Sequence, residues 1–184
     1  ALFYELPGYQ FRHELGVEQF NLLDKIERQS IHVGNLCYVN YGAQVSSKQK
    51  GKFGKAEMIG SRPQGNAKRF FEGRDVSRYV VKWGGLYVDY QPELMYGPRA
   101  AQLFEGRKMG IRHVSGEGDS LLVGYDAEGM YCDHGVILVV DYKNVAGTHL
   151  RQEFEDYPQC ARPYKLSYTL SVVASRLESF YYGL

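Results

Sequence analysis

Apolar residues recur at helical spacing near both ends of the chain. Over residues 17–28 they return every third position, and Leu22 widens the apolar stripe, as on the buried face of an amphipathic helix. Over residues 166–181 they fall at i, i+4, i+7, i+11 and i+15, on one face of a four-turn helix. We therefore predict an amphipathic helix at each end. The apolar positions are Val17, Phe20, Leu23 and Ile26 in the first helix and Leu166, Leu170, Val173, Leu177 and Tyr181 in the second.

Short β-like runs fill the middle of the chain, each bounded by Gly, Asp or Ser. The predicted strands lie within residues 31–41 and over residues 76–83, 86–90, 109–114, 121–125 and 136–142. Pro98 suits the first turn of a helix, so we expect a short helix from there to Gly106. This order predicts an α+β fold, a strand-rich core of mixed or antiparallel sheet bracketed by the N-terminal and C-terminal amphipathic helices. At 184 residues we expect one domain over residues 1–184.

Positive charge gathers in one part of a chain that is nearly neutral overall. Residues 48–84 carry 10 Lys or Arg and 3 Asp or Glu, a net charge of +7, against +1 for the whole sequence. The polar loop of residues 42–55, in which Ser, Lys, Gln and Gly fill nearly every position, leads into this segment. A basic block of this kind favours a polyanionic partner, and a solvated Lys-rich loop is the alternative.

Composition favours a globular protein of the cytoplasm. Apolar residues make up 44% of the sequence, enough to form a core. The three cysteines are widely spaced without a Cys-x-x-Cys pair, which fits a reducing compartment. No apolar run approaches the ~20 residues of a membrane span. The opening residues lack the charged-then-apolar pattern of a secretion signal, so we expect none. Because the sequence starts at Ala1 without an initiator Met, we expect a piece of a longer polypeptide, although Met removal would look the same.

The sequence carries no recognisable catalytic apparatus. It lacks a P-loop, a Gly-x-Gly-x-x-Gly turn and a Gly-x-Ser-x-Gly elbow. It also lacks the Asn/Asp-Pro-Pro-Tyr loop of adenine amino-methyltransferases and their Gly-rich turn for S-adenosylmethionine. Cys132, Asp133 and His134 offer three types of metal ligand in a row. Neighbouring side chains of a strand point to opposite faces, so the three cannot all reach one ion without a turn. We therefore expect no catalytic residue, no metal site and no cofactor in this chain.

Two further functions stay open beside polyanion binding. The apolar run 136–143 ends in Asp141-x-Lys143, and Asp133 lies eight positions before Asp141. Mg-dependent nucleases of the PD-(D/E)xK class hold the metal with two carboxylates and steady the attacking water with a Lys. Cys132 stands where that motif has Pro, and Asp-x-Lys is also a common way for a buried strand to return to solvent. The other function is a protein-interaction domain with a Tyr-rich surface, since the chain has 16 Tyr.

Four stretches resemble, in order, the motifs of the TaqI-like C-terminal specificity domain. They are "LLDKIERQSIHVGNLCYVNYGAQVSSK", "AKRFFEGRDVSRY", "LYVDYQPELMYGPRAAQLFEGRKMGIRHVSGEG" and "YTLSVVASRLESFYY". The second is similar to the family's "kp.irGrDikrY", with Gly73, Arg74, Asp75, Arg78 and Tyr79 in matching places. In the third, "RKMGIR" departs slightly from the family's "Kil.R", and in the fourth Val-Ala-Ser replaces Leu-Asn-Ser. The resemblance runs from about residue 15 to 182.

This resemblance implies a target recognition domain of the DNA methylase specificity type. Such a domain lies C-terminal to an N6-adenine methyltransferase module in restriction–modification enzymes, often single chains that also carry an endonuclease module. It recognises double-stranded DNA while the neighbouring module flips and methylates the adenine. The implied partners are therefore double-stranded DNA and an intramolecular methyltransferase module, with no membrane. S-adenosylmethionine, and Mg²⁺ where a nuclease is fused, are implied for the parent enzyme.

DNA contacts are predicted from three groups of residues. Salt-sensitive phosphate contacts are expected from Lys48, Lys50, Lys52, Lys55, Lys68 and Arg69. Base reading needs forked donors and acceptors and is expected from Gln44, Gln49, Arg62, Gln64 and Asn66. The cations on matching family positions are Arg74, Arg78, Lys108 and Arg112.

Gly73-Arg74-Asp75 is typical of a turn, because Gly permits positive φ and Asp can bond its own backbone two residues on. We expect this turn to deliver Arg74 and Arg78 to the DNA. An Arg74 paired with a carboxylate inside the fold is the alternative. The residues expected to anchor the turn to the core are Phe70, Phe71, Val80 and Trp83.

Overall fold

The fold, a computed structural model, is described for residues 16–29, 33–46, 54–113 and 121–145. It is α+β, as predicted, with two mixed sheets and few helices in these ranges. None of the helices described is long and apolar enough to cross a membrane. The helices are α1 Val17–Gln29, α2 Lys55–Met58 and α3 Tyr142–Val145. The strands are β1 Cys37–Tyr41, β2 Ile59–Gly60, β3 Ala67–Phe71, β4 Val76–Ser77, β5 Tyr79–Val81, β6 Leu86–Asp89, β7 Lys108–Arg112, β8 Val123–Asp126, β9 Tyr131–Cys132 and β10 Val136–Asp141.

The larger sheet has six strands in the order β1-β10-β7-β8-β5-β4. Neighbours are antiparallel except β5 and β8, which run parallel. Strand β10 is apolar without alternation because both of its faces are covered: Val136, Leu138 and Val140 face one core cluster, and Val139 faces another.

The smaller sheet has four strands in the order β2-β6-β3-β9, with β3 parallel to β9. Side chains alternate across it, so Phe70 and Val88 lie on the inner face. Arg69 pairs with Tyr87 across β3 and β6, so both lie on the opposite face, which we call the outer face. Phe71, at the end of β3, is fully buried although it follows Arg69 by two residues.

The main core lies between the two sheets. It includes Phe70 and Phe71 from the smaller sheet, Leu138 from the larger one, and Phe104, which stacks on Tyr131 at 4.5 Å between ring centres. A second cluster, Cys37, Met109, Val123 and Val139, lies on the other face of the six-stranded sheet. Both faces of that sheet thus contribute to burial.

Several boundaries differ from the sequence-based expectation. The predicted strand of residues 76–83 is broken into β4 and β5 by a tight turn at Arg78 and Tyr79. The predicted helix from Pro98 is only a 3₁₀ turn, Ala101–Leu103. Strands β2, β3 and β9 were not predicted. Helix α1 confirms the first periodic segment as a helix with Phe20 and Leu23 buried, but Val17 and Leu22, expected on the apolar stripe, are exposed. The predicted helix over residues 166–181 lies outside the described residues.

Candidate nucleic-acid interface

The Gly73-Arg74-Asp75 segment forms a 3₁₀ turn that is fixed by the side chain of Asp75. The backbone N–H of Glu72 donates to Asp75 Oδ2 at 2.8 Å, and the Asp75 N–H donates to the Glu72 carbonyl at 2.9 Å. The turn was expected, but its geometry was not. Asp75 bonds the backbone three residues earlier rather than two residues on, and Gly73 does not take a positive φ.

Gly73 is required for another reason, because the chain around Gly135 and Arg112 packs closely against its Cα. A Cβ built there would lie 3.3 Å from the Gly135 carbonyl oxygen and 3.5 Å from Arg112 Cγ. The turn therefore packs against the end of β7, where Arg112 lies. Arg74 and Arg112, far apart in sequence, are brought to the same end of the six-stranded sheet.

An ion-pair network surrounds this turn. The Lys55 ammonium donates to Glu72 at 2.6 Å and to Asp133 at 3.3 Å, and Arg74 pairs with the other oxygen of Glu72 at 2.8 Å. Burial opposes the charged form of Lys55, but the hydrogen bond to Glu72 and the charge of Asp133 outweigh it and raise the pKa of Lys55. Arg74 is 70% exposed, so it is paired with a carboxylate and still lies at the surface. Lys55, Arg74 and Arg112 with their two carboxylates form what we call the arginine end.

A second polar surface lies at the loop of residues 61–66. Arg62 and Gln64 line a cleft of about 200 Å³ together with Tyr87 and Asp89. Both predicted base-reading side chains are exposed. The chemistry of this cleft suits a base-reading site, because amide, guanidinium and carboxylate groups line it together with an aromatic ring.

The loop is held by Asp89. The Asn66 N–H donates to Asp89 Oδ1 at 2.8 Å, and the Asn66 side-chain amide donates to the Tyr90 carbonyl at 3.1 Å. Gly65 has φ +55°, and a Cβ there would lie 2.5 Å from Asp89 Oδ2. One donor of the Asn66 side-chain amide is therefore used within the fold, on the residue that follows β6.

An exposed arginine–aromatic patch adjoins the cleft on the outer face of the smaller sheet. The Arg69 guanidinium carbon lies 4.8 Å from the centre of the Trp83 ring, and Trp83 meets Tyr87 edge to face at 5.1 Å. Arg69 also pairs with Glu128. Phe70 and Phe71 are fully buried as expected, but the expectation that Val80 and Trp83 anchor the core is wrong: they are 40% and 36% exposed.

The remaining predicted residues occupy different settings. The Lys68 ammonium lies 6.0 Å from the centre of the Tyr131 ring. Gln44 is half-buried, and its backbone pairs with Gly97. Arg78 is half-buried at the tip of the β4–β5 hairpin. Lys48, Gln49, Lys50 and Lys52 lie outside the described residues.

Lys108 cannot contact DNA in this fold, so that prediction is wrong. Its side chain is completely buried, pairs with the equally buried Asp126 and donates to the Phe104 carbonyl at 2.6 Å. Burial lowers the pKa of Lys108, and the Asp126 charge opposes that shift. Asp126 also accepts the backbone N–H groups of Glu128 and Met130. Sequence could not separate Lys108 from a surface cation, since its burial depends on strand pairing.

The nuclease array is not assembled. Asp141 pairs with Cys37 at one end of β1, and Asp133 bridges Ala43 beyond the other end. The five residue steps from Val136 to Asp141 alone span about 17 Å, whereas Mg²⁺ ligands lie about 2.1 Å from the ion. Lys143 pairs with Asp141 at 2.9 Å. The alternative that joins Asp133, Asp141 and Lys143 in one site is therefore wrong.

Comparison with known proteins identifies one family. The model of the TaqI-like C-terminal specificity domain matches residues 68–183. This range covers most of the chain and includes Arg74, Arg78 and Arg112, while the cleft residues Arg62 and Gln64 precede it. A search of the curated proteins found no match.

Proposed function

Because the chain belongs to the family of TaqI-like C-terminal specificity domains, we propose that it recognises a sequence in double-stranded DNA for a neighbouring N6-adenine methyltransferase module. Membership itself gives a DNA-specificity role in restriction–modification. The observation that carries the finer proposal is the packing of the Gly73–Asp75 turn against Arg112, which joins cations of two family motifs at one surface.

Affinity and sequence preference come from different parts of this surface. Cations of the arginine end suit phosphate contacts, which position the duplex and carry no sequence information. The forked groups of Arg62 and Gln64, at the cleft, suit base edges, where a bidentate pair contributes roughly 1–3 kcal/mol of discrimination. Both residues lie on a loop held by the Asp89 hydrogen bond, and such a fixed backbone favours a fixed register.

Chemistry belongs to the neighbouring module in this proposal. That module binds S-adenosylmethionine and takes the flipped adenine, and Mg²⁺ is needed only where a nuclease is fused. This chain contributes binding and orientation. The parent protein is then a DNA adenine methyltransferase of a restriction–modification system.

The test is a selection from a pool of randomised duplexes with the 184-residue chain. Bound duplexes are sequenced after washing at rising salt. We expect retention that falls steeply with salt, because released counterions drive phosphate contacts, and enrichment of one short motif. Retention without salt dependence, or retention with no enriched motif, would contradict the proposal.

A further inference from the structure

Tyr79 has a backbone conformation that its side chain disfavours. Its φ is +70°, in the left-handed region. Ser77 pairs with Val80, so Arg78 and Tyr79 are the two central residues of a tight hairpin turn. Turns with positive φ at the second central position use Gly or Asn there, and a bulky residue in that region is an outlier. The β4–β5 hairpin is therefore strained at Tyr79.

The surrounding fold holds the hairpin in this shape. Tyr79 pairs with Gly124 on β8, and a Cβ at Gly124 would lie only 2.6 Å from the Val80 carbonyl oxygen and 3.0 Å from that of Ser77. Val76 and Val81 are buried and anchor the two short strands. The strain is thus fixed by packing of the backbone, and the Tyr79 ring is not needed to maintain it.

The ring itself contributes little to the core. Tyr79 is 51% exposed, and the neighbouring Val80 is 40% exposed. Among the described residues, the Tyr79 hydroxyl has no hydrogen-bond partner. A strained position that carries an exposed aromatic ring indicates a use for that ring outside the folded chain, since strain persists at binding sites where it serves a function.

Charge around the hairpin identifies the partner. Arg78 precedes Tyr79 directly, and β8, beside the hairpin, is the neighbour of β7, which ends at Arg112. The segment of residues 48–84, which contains the hairpin, has a net charge of +7. A polyanion with flat apolar surfaces fits an aromatic ring set among cations, and duplex DNA has both phosphates and base and sugar surfaces.

We propose that Tyr79 is a DNA-contacting residue whose ring packs on the sugar and base surface of the bound duplex. The inference rests on the proposed function and deepens it by adding a contact that carries no charge. Such a contact contributes affinity without releasing counterions. Its removal therefore weakens binding while the dependence on salt stays the same.

The experiment compares Tyr79→Asn, Tyr79→Gly and Tyr79→Phe in the 184-residue chain, using a mixed-sequence duplex titrated at several salt concentrations. Asn and Gly suit the left-handed backbone, so we expect both variants to keep or raise the Tm. We expect both to lose about tenfold in affinity, as for the loss of an aromatic side chain from a binding interface, with an unchanged salt slope. Tyr79→Phe keeps the ring and should retain wild-type affinity.

Each contrary outcome has a distinct meaning. Wild-type affinity in Tyr79→Asn and Tyr79→Gly, when the wild-type chain binds DNA with a salt slope, overturns this inference alone. A lower Tm in both variants makes Tyr79 a packing residue and also overturns it. If the wild-type chain does not bind duplex DNA in a salt-dependent way, the proposed function fails and this inference fails with it.

Discussion

The Lys108–Asp126 pair concentrates two charges in the main core. Both side chains are completely buried, and Asp126 satisfies its other lone pairs with two backbone N–H groups. Desolvation of each charge is costly, and only the partner and the hydrogen bonds offset that cost. The pair is therefore sensitive to removal of either member.

We predict that Lys108→Met lowers the free energy of unfolding by about 3–5 kcal/mol, because it leaves Asp126 buried without its counter-charge. Urea denaturation measures the loss. Lys143→Met is the matched control: Lys143 is 77% exposed in its pair with Asp141, so its loss should cost less than about 1 kcal/mol. Equal effects of the two substitutions would contradict the role given to Lys108.

The raised pKa of Tyr90 predicts that the stability of the fold falls at high pH. Burial and the charge of Glu105 raise the pKa of Tyr90 to about 12, from 10.0, and its hydroxyl donates to the Arg99 carbonyl at 2.5 Å. The folded chain holds this proton more tightly than the unfolded chain, so the stabilisation is complete below pH 10 and is lost as the pH rises to about 12. The tyrosinate absorbance of the wild type minus that of Tyr90→Phe should show a midpoint near pH 12. A midpoint near 10 would mean that Tyr90 is not buried as described.

At the scale of elements, the loop of residues 61–66 depends on one glycine. Gly65 combines φ +55° with a backbone that lies close to the Asp89 carboxylate. Gly60, on the neighbouring strand β2, has ordinary φ and open space where a Cβ would stand. A comparison of alanine substitutions at these two glycines separates the backbone requirement at Gly65 from the general effect of adding a methyl group.

We predict that Gly65→Ala lowers the free energy of unfolding by roughly 1–3 kcal/mol, since it combines a left-handed backbone with a clash. Gly60→Ala should be neutral or slightly stabilising. Chemical denaturation measures both. If Gly65→Ala is as stable as Gly60→Ala, the loop is not fixed by its approach to Asp89.

Elements with a regular pattern of apolar residues could be predicted from the sequence. Elements in which charged residues interrupt that pattern could not. Helix α1 and strands β7, β8 and β10 follow from their apolar patterns. Strand β3 was missed because Lys68 and Arg69 interrupt its pattern and its partners, β6 and β9, are distant in sequence. The exposure of Trp83 was missed for a related reason: its ring packs on Arg69 rather than in the core.

At the scale of the whole molecule, the candidate site depends on tertiary structure. The resemblance to the family motifs predicts DNA contacts from Arg74 and Arg112. Only the packing of the Gly73 turn against β7 brings the two residues together. The same fold buries Lys108, which lies four residues before Arg112, in the core. Local sequence contains no signal that distinguishes these two ends of one strand.

The charge of the molecule is small, so its distribution decides how it meets a polyanion. The net charge is +1, while residues 48–84 alone carry +7. If the proposed function holds, a charge distribution of this kind along the chain attracts a duplex toward the arginine end. Loss of a cation from that surface should therefore matter more than loss of the same charge elsewhere.

The most direct test compares the two arginines at opposite ends of β7. Arg112 ends the strand at the arginine end, and Arg107 immediately precedes its other end. Arg112→Gln and Arg107→Gln make the same change in charge, and the slope of log affinity against log salt is measured for each with a duplex. We predict that Arg112→Gln reduces the slope by about one unit, the loss of one phosphate contact, and that Arg107→Gln leaves it unchanged. An unchanged slope in Arg112→Gln, or an equal reduction in both variants, would contradict the assignment of the arginine end as the DNA-binding surface.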